Sequence, residues 1–176
     1  MSAEQVIQYR QQKDRYFRNH PDSPLNAAQR QAFTGLEYYD YDPSLDLTVT
    51  IQRAEDSDPI QVFTNLNGIQ NYRRCGTFTF SIGDEQARLT IYETAHGFFL
   101  PFVDAGANVE TYGAGRYLDP PQIDEQTFRV DFNLAYNPLC VYSDQWECPI
   151  TPPENRLKVA VRAGEKLPTG DWIKLR

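Results

Sequence analysis

The sequence predicts a mainly β protein, an antiparallel barrel-like or sandwich sheet of about seven to eight strands with one or two N-terminal helices. Its 11 Tyr and 10 Phe stand against a single Met, and 12 Pro and 10 Gly accompany them, which favours strands and turns over a helical bundle. From about residue 45 the apolar period changes from helical to two, which is typical of half-buried strands. No later helical segment is long enough to cross between parallel strands, so the sheet should be antiparallel.

Residues 1–36 are predicted to form a helical arm. Ser2 can cap a first helix, because Gln5, three residues on, completes a capping box. The prolines of the following segment end that helix, since each lacks an amide hydrogen and disfavours a helical predecessor. A short second helix is expected at 27–32, where Asn26 supplies the cap.

The β body is predicted at 45–167, within a single domain of 1–176, because no repeat, low-complexity tract or charged linker marks a second domain. Its clearest strand pair is a hairpin that turns at Gly83-Asp84, since apolar and polar residues alternate on both sides of that turn. The same alternation predicts further strands at 47–51, 60–63, 98–102, 128–132 and 157–161. A turn is expected at 56–59, where Asp, Ser and Pro cluster.

The charge balance argues against several classes of protein. A net charge of -7 without a long basic run argues against nucleic-acid binding. The sequence contains neither a signal-peptide core nor about 18 consecutive apolar residues, so export and membrane insertion are not expected. Three cysteines, an odd count, suit a reducing compartment, so we expect a cytoplasmic protein without a metal or cofactor. Cys140 and Cys148 are interpreted as buried thiols, with a disulfide or a redox-sensing pair as the alternative.

The run YGAGRY at 112–117 contains the first candidate site residue, Arg116. It lacks the third glycine of a dinucleotide fingerprint and the Gly-Lys-Ser/Thr ending of a P-loop, so a nucleotide site is not expected there. Its two glycines predict a bulge or close backbone crossing that lets the arginine point inward. An inward guanidinium needs an acceptor, so Asp119, Asp131 or a ligand carboxylate should face it. The alternative is a purely structural Arg–Asp pair.

A second concentration of polar side chains follows the strand predicted at 128–132. One carboxylate, two amides and a phenol occur within seven residues, in Asp131, Asn133, Tyr136 and Asn137. Such side chains often serve as turn residues that bond to nearby backbone, but at a strand exit they also line the mouths of ligand sites. Asn155, at the entrance of the last predicted strand, is a further candidate.

Several motifs in a fixed order resemble a known family. They include ETYGAGRYLD at 110–119, DFN at 131–133, AYNP at 135–138, CP at 148–149 and PPENRL at 152–157, with further matches in the arm. Together they resemble the bacterial and archaeal domain-of-unknown-function family catalogued as 1684, over nearly the whole chain. Because that family has no assigned activity, the resemblance implies candidate residues but no reaction. These are Tyr112, Gly113, Gly115, Arg116, Tyr117, Asp131, Asn133, Tyr136, Asn137, Asn155 and Arg156.

Three hypotheses of function follow. The first is a small-molecule-binding β domain in which Arg116 receives an anionic group while the nearby amides and phenol bond to polar edges of the ligand. The second is an interaction or structural protein whose buried polar network holds long loops in place, with a homo-oligomer as one form of it. The third is an enzyme acting on a small polar substrate, with Asp131 as general base or electrostatic stabiliser beside Arg116.

Overall fold

Eight strands form in the part of the chain that the computed structural model describes, residues 1–55 and 58–175. They are β1 (Asp46–Thr50), β2 (Gln52–Arg53), β3 (Ile60–Phe63), β4 (Ile69–Ile82), β5 (Glu85–Thr94), β6 (Gly97–Phe102), β7 (Arg116–Leu118) and β8 (Thr127–Asp131). Every pair of these strands is antiparallel, as the sequence predicts. The turn predicted at 56–59 includes two positions outside the described residues.

The strands form two sheets. In the larger sheet the order is β2-β4-β5-β6-β7, and β3 pairs with the first part of β4; in the smaller sheet β1 pairs with β8. The sheets are sandwich-like and do not close into a barrel, so the sandwich alternative is confirmed. The predicted hairpin is confirmed as β4 and β5, where Ile82 pairs with Glu85 across a two-residue turn and Gly83 has a φ of 57°.

The main core lies between the two sheets. Phe80 of β4 stacks on Phe132, which directly follows β8, with ring centres 5.1 Å apart. Phe98 of β6 meets Phe128 of β8 edge to face at 4.8 Å. The apolar members of the alternating strands face this core, so the period-two pattern that predicts the strands also identifies their buried side.

The two helices, α1 (Ala3–Asn19) and α2 (Ala27–Ala32), pack beside the sandwich. The predicted caps Ser2 and Asn26 are confirmed, and each forms a capping box. Phe17 of α1 and Phe33, which follows α2, lie in a second apolar cluster with Tyr142 and Trp172. Trp172 belongs to a C-terminal 3₁₀ turn at Asp171–Leu175, so both ends of the chain meet in this cluster. No helix in the described ranges is both long and apolar enough to span a bilayer.

The strand predicted at 157–161 is wrong. Leu157 donates its amide to the Val103 carbonyl at 2.7 Å, and Val159 accepts from the Ala105 amide at 3.0 Å. The next alternating amide, that of Val161, instead bonds to the carboxylate of Asp104 at 2.9 Å. The alternation at 157–161 therefore reflects the burial of the valines and not a strand. The Asp104 side chain accepts the hydrogen bond that a neighbouring strand would otherwise accept.

Candidate functional site

Arg116, the first residue of β7, is fully enclosed by protein acceptors. Its Nη2 donates to Asp104 Oδ2 at 2.8 Å and to the Val161 carbonyl at 2.7 Å. Its Nη1 donates to the carbonyls of Ala163, at 2.5 Å, and Glu165, at 2.9 Å. Only 1% of the arginine is exposed, and this burial lowers the pKa of its guanidinium. Four acceptors from the protein occupy the positions that an anionic ligand would need.

The predicted inward arginine is confirmed, but the expected partners, Asp119 and Asp131, are wrong. The partner is Asp104, which also accepts from the Gly106 amide at 3.1 Å and from Thr111 Oγ1 at 2.6 Å. Sequence reasoning missed it because an Asp two residues before a glycine has the ordinary appearance of a turn residue.

The close backbone crossing predicted at the two glycines is confirmed at Gly115. Its φ is +105°, and a Cβ atom there would lie 2.6 Å from the carbonyl oxygen of Phe102 in the adjacent β6. No larger residue fits that approach, since the contact is to backbone. The glycine therefore brings β7 close to β6 and fixes the direction in which Arg116 enters the protein.

Asn155 is a structural link between β5 and β6. Its Oδ1 accepts from the Thr90 amide at 2.8 Å, while its Nδ2 donates to the carbonyls of Thr90, at 2.8 Å, and Pro101, at 2.7 Å. The direct pairing of β5 with β6 covers only 92–94 with 97–99, so Asn155 inserts where the strands diverge. The side chain is completely buried and offers nothing to a ligand.

Asp131 and Asn133 hold the segment before β1. Asn133 forms a two-way pair with the backbone of Asp42, accepting from its amide at 2.8 Å and donating to its carbonyl at 2.8 Å. Asp131 Oδ1 accepts from the amide and Nδ2 of Asn133 at 3.0 and 2.9 Å, and its Oδ2 receives the Met1 ammonium at 3.3 Å. Asp131 and Arg116 thus bond to different partners.

Asn137 belongs to a buried network centred on Glu165, a residue that sequence reasoning did not single out. The backbone amide of Asn137 donates to Glu165 Oε2 at 2.7 Å, and the hydroxyl of Tyr142 donates to the same oxygen at 3.2 Å. Lys13 of α1 donates to Oε1 at 2.5 Å. Burial is the main cause that raises the pKa of Tyr142 well above its ordinary value. The only sequence signal for Glu165 is its place in the run AGEK at 163–166.

Cys140 and Cys148 are both free thiols, and the Cys140 amide donates to Cys148 Sγ at 3.4 Å. The hydrogen bond between the two thiols lowers the pKa of Cys148 and raises that of Cys140. Both residues are buried, as the first interpretation predicts. Tyr112 packs against the second apolar cluster, which contains Phe17, Phe33, Tyr142 and Trp172.

Tyr117 lies at the floor of a cleft of about 590 Å³, hereafter the aromatic cleft. Its ring meets Phe99 of β6 edge to face at 4.9 Å, and Phe99 meets Tyr72 of β4 in the same manner at 5.7 Å. The Tyr117 hydroxyl donates to the Pro149 carbonyl, so Pro149 and the ring are held together in the wall. The rings of Tyr72, Phe99 and Tyr117 thus come from three strands of one sheet.

Asp119, just beyond the end of β7, stands at the rim of the aromatic cleft. Its Oδ2 accepts from the Tyr136 hydroxyl at 2.9 Å. Partial burial raises the pKa of the Asp119 carboxyl, although the Tyr136 bond and the charge of Lys13 oppose that shift. Asp119 and Tyr136 also line a second cleft of about 260 Å³, which Asp131 borders.

The structure therefore brings only part of the predicted set together. Tyr117 and Tyr136 meet edge to face with ring centres 5.9 Å apart and exchange backbone hydrogen bonds, and Asp119, which bonds to Tyr136, lines the aromatic cleft with Tyr117. The candidates Arg116, Asn133, Asn137 and Asn155 are engaged elsewhere. Sequence reasoning missed the rings of Tyr72 and Phe99, because the aromatic cleft forms only when three separate strands align. Among the described residues, no group of three or more His, Cys, Asp or Glu side chains is placed to hold a metal.

Comparisons with known proteins agree with this fold. The family model described as "Protein of unknown function (DUF1684)" matches residues 31–166. A solution NMR structure of an uncharacterized protein of Haloarcula marismortui is 33% identical, covers 93% of this chain and 92% of its own, and superposes with a TM-score of 0.68. No curated protein matches the chain.

Proposed function

Because the chain belongs to the family described as "Protein of unknown function (DUF1684)", we propose a function from its geometry: it binds a small molecule in the aromatic cleft. The observation that carries this proposal is the floor of Tyr72, Phe99 and Tyr117 beneath a cleft of about 590 Å³. Ligand sites are typically concave, about 300–1,000 Å³ in volume and mostly apolar, with a few convergent polar groups. Asp119 supplies such a group at the rim.

The proposed binding site is the aromatic cleft and does not include Arg116, which the sequence predicts as the anion-binding residue. That guanidinium has four acceptors within the protein, so an anion there would have to displace buried hydrogen bonds. The same contacts remove the support for an enzyme that combines Arg116 with Asp131, since the two side chains bond to different partners.

A screen of small aromatic compounds by ligand-observed NMR tests the proposal when it includes a variant that fills the cleft. Ala95 is an exposed turn residue in the cleft wall, so Ala95→Trp places a ring in the cleft without touching the core. Val109→Trp is the matched control, because Val109 is 80% exposed and lies outside the lining. We expect compounds that bind the wild type and Val109→Trp but not Ala95→Trp. Compounds that bind all three proteins alike would contradict the proposal, and so would a screen without binders.

A second candidate function is self-association, which the tip of the β3–β4 hairpin favours. Phe63 and Ile69 pair across that hairpin and are 59% and 52% exposed, and Leu66 between them is 51% exposed. Contiguous exposed apolar side chains often mark protein interfaces. Light scattering tests this candidate function. We expect the wild type to form a dimer and Phe63→Lys to be monomeric. A wild type that is strictly monomeric at high concentration would contradict self-association.

A further inference from the structure

We propose that the ligand of the aromatic cleft is an organic ammonium compound, held by the Asp119 carboxylate and the adjoining rings. This inference rests on the proposed function and deepens it by naming the chemical class of ligand. Aromatic rings attract cations through their negative faces, and a neighbouring carboxylate supplies the counter-charge. Both groups line the same cleft here.

The charge of the lining has one sign. Among the described residues that line the aromatic cleft, Asp119 is the only carboxylate, and no Lys or Arg lines it. His96 is the one other ionisable side chain there besides the tyrosines. An anionic ligand would therefore meet a like charge without a compensating cation, whereas an ammonium group would meet its counter-ion.

Asp119 still has capacity for a ligand. Its Oδ2 accepts a hydrogen bond from the Tyr136 hydroxyl at 2.9 Å, and this bond orients the carboxyl group. The other oxygen, Oδ1, does not take part in that bond and can accept from a ligand. Asp119 is an exposed residue, so a cation can reach its carboxylate from solvent.

The cationic side chains near Asp119 have carboxylates of their own. Arg129, which lines the second cleft with Asp119, bonds to Asp46 at 2.8 and 2.5 Å. Lys13 lies 5.0 Å from the centre of the Tyr136 ring, but its ammonium bonds to Glu165 at 2.5 Å and is matched there by a buried carboxylate. Arg73, close to the other rim, stands directly opposite Glu93 in the β4–β5 register. Each of these cations therefore has its own carboxylate nearby, and the charge of Asp119 remains for the cleft.

Three probes with one ring and different charges test the inference. Benzylammonium, benzyl alcohol and benzoate share a phenyl ring, so amide shifts at 94–96 in a ¹H–¹⁵N titration at neutral pH report how charge alone alters the Kd. We expect benzylammonium to bind at least about tenfold more tightly than benzyl alcohol, which is about 1.4 kcal/mol, and benzoate to bind most weakly.

Asp119→Asn should abolish the preference for the ammonium probe while keeping an oxygen that accepts from Tyr136. Asp84→Asn is the matched control, since it removes the same charge at the exposed β4–β5 turn, at the opposite end of the hairpin from the cleft. Equal binding of benzylammonium and benzyl alcohol, blocked by Ala95→Trp, would overturn the ammonium inference but leave the proposed function intact. Binding by none of the probes would count against both, and a preference that survives Asp119→Asn would overturn the inference alone.

Discussion

Replacing Asn155 by alanine tests whether this candidate residue is structural. The substitution removes three hydrogen bonds and leaves the amide and carbonyl of Thr90 and the carbonyl of Pro101 buried without partners. A buried hydrogen bond contributes about 1 to 1.5 kcal/mol net, so we expect Asn155→Ala to lower the free energy of unfolding by about 3 to 4 kcal/mol. That is a large part of the roughly 5–15 kcal/mol that stabilises a typical domain.

Urea unfolding followed by circular dichroism measures this loss. Asn65→Ala is the matched control, because Asn65 is exposed and also bonds to backbone, accepting from the Cys148 amide at 2.7 Å and donating to the Trp146 carbonyl at 3.1 Å. Water can replace those bonds, so the control should lose about 1 kcal/mol or less. If Asn155→Ala lost no more than Asn65→Ala, the structural role assigned to Asn155 would be refuted.

Three further predictions concern the charged groups. Arg116→Lys retains a charge for Asp104 but loses the guanidinium group that donates to four acceptors. Denaturant unfolding should show that the free energy of unfolding falls by about 2–4 kcal/mol. An unchanged unfolding midpoint would contradict the role of these four hydrogen bonds. Lys13→Met leaves the Glu165 carboxylate buried without its cation, and should cost about 3 kcal/mol by the same assay, part of which a second change, Glu165→Gln, restores. Asp119→Asn should raise the melting temperature at neutral pH, because burial raises the pKa of the folded carboxyl and so disfavours its charged form. This gain should fade as the pH falls through the folded pKa and vanish below about pH 3, where the folded and unfolded carboxyl groups are both protonated; a gain that persists there would have another cause.

Local rules predict local structure well in this chain. Ser2 and Asn26 identify both helix starts, since a capping box depends on residues three positions apart. Gly83-Asp84 identifies the hairpin turn for a similar reason. The segment at 157–161 shows where such rules stop, because alternation reports which side chains are buried and not what the backbone bonds to.

The candidate site depends on contacts that no local pattern contains. Gly115 correctly predicts that Arg116 turns inward, but its partner Asp104 is fixed by how β6 and β7 meet in space. The floor of the aromatic cleft likewise joins rings from β4, β6 and β7, and each ring alone reads as an ordinary core residue. Polar residues in a motif identify a well-connected region, yet the hydrogen bonds decide whether that region binds a ligand or supports the fold.

The bond between Lys13 and Glu165 joins positions 152 residues apart. During synthesis the helix that carries Lys13 leaves the ribosome long before its partner carboxylate exists, so this contact forms only after Glu165 has been added to the chain. Asn155 and the acceptors of Arg116 at 161–165 impose the same delay. A fold that depends on such distant pairs should form slowly, in milliseconds to seconds, because ordering a long loop must precede the contacts that stabilise it.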